Sequence, residues 1–452
     1  MSRGSVTIVG AGLCGSLLSI ILARRGIKAT VLERRTDPRT TAVPAGRSIN
    51  LALSSRGIRA LKYADIFDQI KPLLMPMYGR LIHEDGQPDD IQPYGQKEDE
   101  KIYSVSRAEL NKTLINTAIE DHGVRIRFEQ ETVSYYPDES VLRVRDHNKS
   151  EDYDVSSCPI IAADGAGSVI RRAYGESPTI GATESLLGHG YKELLIPAGP
   201  DGKFQLANDV LHIWPRGDFM LIALPNPGGD FTLTLFMPNQ GDVSFAELDA
   251  ENKTARFASE HFSDIVPIID APAKNLCENP VGILGTVRCE HWHDQGNMLL
   301  IGDAAHAIVP FHGQGMNLAF EDCVVLDQVL ANPDADWKTV FEVFEAEQRG
   351  NANAIADMAL DNYVEMRDRV RDPKFVLRKE LSFELERRLP QRFIPRYSMV
   401  MFHDEIPYAV AQERGALQQK LLEELTANVD SLDEVDIDAA VATVEKRLAP
   451  LH

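Results

Sequence analysis

Val6-Thr7-Ile8-Val9-Gly10-Ala11-Gly12-Leu13-Cys14-Gly15 is the stretch whose reading decides the fold. Its four apolar or β-branched residues form a short buried strand. The glycines that follow have the GxGxxG spacing of a dinucleotide-binding turn. Gly10 permits the tight turn, Gly12 lets a pyrophosphate approach the backbone, and Gly15 lets helix and strand pack closely. A helix predicted from about Cys14 to Arg25 then points amide donors and a partial positive charge at that pyrophosphate. A second strand, Ala29 to Leu32, ends in Glu33, which is placed to accept from ribose hydroxyls. Together these predict a Rossmann-like βαβ unit. The turn alone does not separate FAD from NAD.

Beyond this unit, Arg107 to Asp121 reads as a helix, and Leu142-Arg143-Val144-Arg145 alternates as a half-buried strand does. Ile160-Ile161-Ala162-Ala163 is an apolar run that stops at Asp164-Gly165. From Gly188 to Pro238 the pattern changes. His212 to Pro215 and Phe231 to Phe236 read as antiparallel strands, with turns at Arg216-Gly217-Asp218 and Asn226-Pro227-Gly228-Gly229. Met298 to Ile301 returns to the dinucleotide pattern and runs into Gly302-Asp303. From about Asp336 the chain reads as helical, with Leu417, Leu421 and Leu425 on one face. The expected class is α/β. Residues 1–70, 101–176 and 281–330 make a discontinuous FAD-binding domain, 71–100 and 177–280 an inserted antiparallel sheet over the substrate, and 331–452 a helical region closing the site.

Composition narrows the partners. The 452 residues carry a formal charge of −21, so no positive field draws nucleic acid. The five cysteines, Cys14, Cys158, Cys277, Cys289 and Cys323, show no metal-like spacing and read as free thiols of a reducing compartment. His291-Trp292-His293 lacks a third ligand at useful spacing, so no metal is expected. The apolar run from Leu13 to Ala23 is too short to span a bilayer, and no signal-peptide leader precedes the first strand. A cytoplasmic protein without a membrane partner is the expectation.

Two further motifs choose the cofactor. Asp164-Gly165-Ala166-Gly167-Ser168, followed by Arg171, resembles the internal DG motif of the flavoprotein aromatic hydroxylases. Gly302-Asp303-Ala304-Ala305-His306, with Pro310 and Gly313-Gln314-Gly315-Met316-Asn317, resembles their GD motif. The resemblance implies non-covalent FAD, with Asp303 accepting from the ribityl hydroxyls. The run Gly315, Met316, Asn317 would bring backbone amides to the flavin's pyrimidine edge, where a helix N-terminus stabilises negative charge. Arg107, which opens its helix after Tyr103-Ser104-Val105-Ser106, matches the family's arginine near the FAD phosphates. His306 is expected to be structural.

Within that class the chain resembles the kynurenine 3-monooxygenases, from about residue 5 to 400. The segments that carry this are Gly46 to Ser54, Gly188 to Leu194, His212 to Gly217, Gln92-Pro93-Tyr94-Gly95-Gln96, and Asn362-Tyr363-Val364-Glu365-Met366-Arg367. The resemblance implies 3-hydroxylation of L-kynurenine with NADPH and O₂ through a flavin C4a-hydroperoxide. Arg80, Tyr94, Asn362 and Tyr397 would hold the amino-acid end. A guanidinium suits a carboxylate, and phenols and an amide add hydrogen bonds. No side chain is expected to act as acid or base, because the substrate's own aniline nitrogen activates the ring. His312 either contacts the ring or fills space. No second GxGxxG module exists, so NADPH would visit transiently. Eukaryotic members end in a membrane-anchoring helix. Thr443 to Leu448 has no such character and reads as a soluble, bacterial-type end. Hydroxylation of another aromatic amine, a same-fold flavoprotein reductase and a non-catalytic flavin sensor stay open at this stage.

Overall fold

The computed structural model describes residues 4–40, 50–84, 86–156, 159–365 and 372–451. Gly46 to Ile49, Met366, Arg367 and Cys158 lie outside the described residues. The opening unit forms as read: strand Ser5–Val9, helix Leu13–Arg24 and strand Lys28–Leu32. They belong to a six-stranded sheet ordered His293–Asp294, Met298–Leu300, Ile160–Ala162, Ser5–Val9, Lys28–Leu32, Arg125–Arg127. All neighbours in it are parallel except the first pair. Val9 stands opposite both Leu32 and Ala162, so the three apolar strands end level and open together onto the glycine turn, Glu33 and Ala163-Asp164. Ligands of such sheets bind at these carboxyl ends.

A seven-stranded sheet runs Gly282–Cys289, Ala182–Ile196, Phe231–Pro238, Phe219–Pro225, Val210–Arg216, Gly79–Ile82, Asp90–Pro93. Its side chains divide with period two. Phe219, Leu221 and Ala223 pack in a core that also holds Phe257, Phe262 and Leu276. Met220, Ile222 and Leu224, the alternate residues, line a cavity on the other face. Both faces are covered, which is why these strands read as nearly continuous apolar runs.

Four details differ from the reading above. Gly282–Cys289 is an edge strand of the seven-stranded sheet, although a boundary at 281 grouped it with the nucleotide-binding segments. It pairs with the first half of the long strand Ala182–Ile196, from Ala182↔Cys289 onward. Met75–Met77 pairs with Ile102–Ser106 rather than with the larger sheet. The α-helix from Arg107 ends at Asn116 and continues as a wider turn, Thr117–Asp121. On the helix Tyr408–Leu425, Leu417 is 45% exposed, while Ala411, Gly415, Gln418, Leu421 and Leu422 face inward. Gln418 can be buried there because its amide donates to the Ile394 carbonyl at 3.0 Å.

Candidate functional site

One cavity of about 860 Å³ touches all the cofactor motifs and three of the four expected substrate residues, Arg80, Tyr94 and Tyr397. At one end lies the glycine turn. Gly10 has φ +99°, and a Cβ there would stand 2.5 Å from the Ala163 carbonyl oxygen. Gly10 and Gly12 line the cavity, and a Cβ at Gly12 would meet nothing within 4 Å. Gly15 lies beneath, where a Cβ would sit 2.0 Å from the Gly10 oxygen, so its task is close packing.

Glu33 is buried beside this turn. Its carboxylate accepts from the Ala11 amide at 2.8 Å, the Arg35 amide at 2.9 Å and Arg35 Nε at 2.8 Å. Burial alone would raise its pKa. The Arg35 guanidinium and the two amides outweigh that and hold the group below its usual value, so it stays an anion that can accept from hydroxyls. Arg35 was not singled out from the sequence. Nothing local marks it except its position two residues beyond the acid.

Asp164 accepts from the Val169 amide at 2.9 Å through Oδ2. Its Oδ1 is buried without a partner, and burial raises its pKa. Such an atom calls for a donor from whatever fills the cavity. The fully buried Arg171 ties this segment to the next motif, donating to the Ala304 carbonyl at 2.8 Å and to Glu184 at 2.6 Å. Asp303 lines the cavity. Behind it Asp322, wholly buried, accepts from the Gly302 amide at 3.1 Å and contacts His306 Nε2 at 2.7 Å. Burial would lower the His306 pKa, but the Asp322 charge raises it overall. Asp322 was missed in the sequence because its partners are far along the chain.

Gly315 and Met316 line the cavity at the N-terminus of the helix Gly315–Leu330. The Asn317 side chain does not reach it. Its amide donates to the Ala52 and Gly313 carbonyls at 2.8 and 2.9 Å, and its oxygen accepts from the Ser54 amide at 2.9 Å. Asn317 therefore braces the loop, and any direct contact from it would come from the backbone. Arg107 lies exposed on the cavity's flank.

At the far end Arg80, Tyr94 and Tyr397 come together from a strand, the segment after the next strand, and the helix Arg396–Met401. The Tyr94 and Tyr397 rings stack with centroids 5.5 Å apart, and the Arg80 guanidinium carbon lies 5.7 and 5.1 Å from their centres. Arg80 Nε and Tyr94 Oη are buried without hydrogen-bond partners. His312 continues the column, stacking on Tyr397 at 5.5 Å, and burial pushes its pKa down to about 3. Burial likewise raises the pKa of both tyrosines, so all three rings are neutral. Asn362 is buried behind this wall, outside the cavity lining. It donates to the Phe311 carbonyl at 2.6 Å and so supports the turn that carries His312.

His291 and His293 both face Glu345, at 3.2 and 3.7 Å. Among the described residues no three His, Cys, Asp or Glu side chains are grouped to hold a metal, and no helix is long and apolar enough to cross a membrane.

The comparisons agree with this geometry. A family model described as FAD binding domain matches residues 3–339. Kynurenine 3-monooxygenase of Stenotrophomonas maltophilia is 46% identical over 449 residues, which is 99% of this chain and 98% of that one. The Myxococcus xanthus kynurenine 3-monooxygenase is 45% identical over 448 residues, 99% and 96% of the two chains. The chain belongs to the kynurenine 3-monooxygenase family. Solved structures of 2-methyl-3-hydroxypyridine-5-carboxylic acid oxygenase share the fold at TM-score 0.67 and 18% identity, covering 82% of this chain and 95% of that one. So does P. aeruginosa PqsL in complex with 2-aminobenzoylacetate, at TM-score 0.63 and 19% identity, with 81% and 97% covered.

FAD is the cofactor, and the residues fit it. Glu33 would offer its carboxylate to ribose hydroxyls, Gly12 and the helix behind it would receive a pyrophosphate, and the Asp164 oxygen would accept from a donor on the cofactor. The N-terminus of Gly315–Leu330 would face the electron-rich end of the ring system.

Proposed function

We propose that this family member hydroxylates L-kynurenine at ring position 3, with NADPH and O₂ as co-substrates, to give 3-hydroxy-L-kynurenine. The carrying observation is the buried Arg80 beside two stacked phenol rings, in the same cavity that is lined by a dinucleotide turn. A buried guanidinium with an unpartnered Nε suits a ligand carboxylate, which it can grip through two parallel bonds. Tyr94 Oη, also unpartnered, can donate to the same group.

Bound FAD supplies acceptance of reducing equivalents from NADPH and activation of O₂. The chain supplies position and dryness. With the amino-acid end on Arg80, the aromatic ring is directed onto a floor of Ile222, Leu224 and Phe236, beside His312 and Gly313. These apolar side chains exclude water from the reacting carbon. His312 and the two tyrosines are neutral over the ordinary pH range, so none of them takes a proton from the substrate as a base would. That suits an aniline, whose ring is made nucleophilic by its own nitrogen. The reading also makes this a cytoplasmic enzyme, supported by the free thiols of Cys14, Cys277, Cys289 and Cys323.

The test is anaerobic mixing of the holoenzyme with NADPH, followed by loss of flavin absorbance. L-Kynurenine should speed the bleaching severalfold or more. An unchanged rate at saturating L-kynurenine would argue against the assignment.

A further inference from the structure

The strand Val210–Arg216 lies in a segment that carries part of the family resemblance, yet from His212 onward none of its residues lines the cavity. Its alternate residues His212, Trp214 and Arg216 converge instead on His83. The Trp214 ring stacks on the His83 ring with centroids 4.3 Å apart and planes 14° from parallel. Arg216 Nη1 donates to the His83 carbonyl at 2.9 Å, and His212 Nδ1 lies 2.8 Å from His83 Nε2. The other His83 nitrogen, Nδ1, lies 2.9 Å from Asp89, across the open end of the hairpin Gly79–Ile82 and Asp90–Pro93. One imidazole thus ties together the last three strands of the seven-stranded sheet. That hairpin carries Arg80, and Tyr94 directly follows its second strand.

The hydrogen bonds fix the charge of this array. At its two ends stand the Asp89 carboxylate and the Ala207 carbonyl, which lies 2.7 Å from His212 Nε2, and both are acceptors. Three links run from Asp89 through His83 and His212 to Ala207, and each needs one hydrogen from an imidazole nitrogen. Two neutral imidazoles supply only two. The intact array therefore holds one extra proton and one positive charge. Burial pushes the His212 pKa down to about 4, so the charge belongs on His83, against Asp89. The other charged groups about the pair are Arg216, Asp209, whose field reaches His212, and Asp264, which accepts from Trp214 Nε1 at 2.6 Å.

We infer that His83 is a positioning residue for the substrate anchor: carrying its extra proton, it latches the hairpin of Arg80 and Tyr94 to the sheet, and losing that proton opens the latch. The inference rests on the kynurenine reading above, in which Arg80 and Tyr94 hold the amino-acid end. His83, Asp89 and His212 all lie outside the cavity lining, so they act through the hairpin alone.

The test is titration of oxidised holoenzyme with L-kynurenine, followed by flavin absorbance, at pH values from about 6 to 8.5. Wild type should bind roughly three- to tenfold more weakly at the top of that range, the scale of one hydrogen bond lost. His83→Phe keeps a ring on Trp214 but removes both links, and should bind weakly at every pH, without the step. In Asp89→Asn the amide can donate to His83 Nδ1, so all three links close with two neutral imidazoles. That variant should stay at the tight level throughout. FAD content should be normal in both variants, as should the limiting rate of anaerobic reduction by NADPH at saturating L-kynurenine. A pH step that persists unchanged in Asp89→Asn, or loss of FAD in parallel with substrate in His83→Phe, would overturn the inference and leave the substrate reading standing. Wild-type holoenzyme that binds no L-kynurenine at any pH would overturn that reading, and this inference with it.

Discussion

His312 and Tyr397 stack ring on ring, with centroids 5.5 Å apart and planes 17° from parallel. One belongs to the turn Pro310–His312 that leads into the glycine-rich loop from Gly313, the other to the helix Arg396–Met401 that carries part of the proposed substrate anchor. The stack joins the two ends of the reaction site through side chains alone. Gln314 strengthens the link, since its amide donates to Met401 Sδ at 3.0 Å.

The stacking role makes a specific demand on His312. His312→Phe keeps a flat ring in the column and removes a buried Nδ1 that has no partner. FAD content and kcat should stay within a few-fold of wild type. Acid stability should change. The folded imidazole has its pKa pushed down to about 3, below the roughly 6.5 of an unfolded histidine. Between those values the unfolded chain binds the extra proton, so stability falls as pH drops through that window. At pH 5 this amounts to on the order of 2 kcal/mol. Thermal melts at pH 7.5 and 5 should therefore show a smaller acid-induced drop in His312→Phe than in wild type. Equal drops would mean that His312 is protonated in the fold.

Arg80→Ala leaves a substrate carboxylate in a desolvated place without its partner. The expected loss in kcat/KM for L-kynurenine is roughly thirty- to several-thousandfold, from about 2–5 kcal/mol. Arg80→Lys should restore only part, because a point charge cannot reproduce the planar fork. Steady-state kinetics with flavin content measured alongside decide it. Near-wild-type kcat/KM at normal FAD content would remove Arg80 from the substrate site.

Glu33→Lys places a donor where the ribose hydroxyls need an acceptor, and sets a cation against Arg35. The protein should lose FAD on extensive dialysis, and FAD titration should show at least about tenfold weaker binding. Retention of a full complement of FAD would rule out Glu33 as the ribose ligand.

Asp322→Ala strips a partner from the Gly302 amide and from His306 at once. Removing one member of such a buried pair costs about 3–5 kcal/mol. The variant should melt earlier and release FAD more readily, since the turn presenting Asp303 is no longer held. Asp322→Asn, which still accepts from both donors but without charge, should fall between. A normal melting temperature and FAD affinity in Asp322→Ala would show that the turn holds itself.

What the sequence disclosed, and what it hid, follows the range of the interactions. Strand, glycine turn, helix and Glu33 were legible because each signal is local, and the structure places them within a residue or so of the expected bounds. Leu417 looked like a core residue from its spacing, but the buried stripe of its helix passes through Gln418, whose amide nitrogen donates to a carbonyl from another segment. Asn362 was expected at the substrate, yet its side-chain amide donates to the Phe311 backbone carbonyl. Asparagine serves either purpose equally well, and composition does not say which. Asp322 acts through Gly302 and His306, which folding brings to it.

The most direct test of the proposed reaction is product analysis under ¹⁸O₂. Purified holoenzyme with NADPH and L-kynurenine should form 3-hydroxy-L-kynurenine carrying one labelled oxygen, in proportion to the NADPH consumed. NADPH oxidation that L-kynurenine does not stimulate, or that yields only hydrogen peroxide and no labelled 3-hydroxy product, would contradict the account.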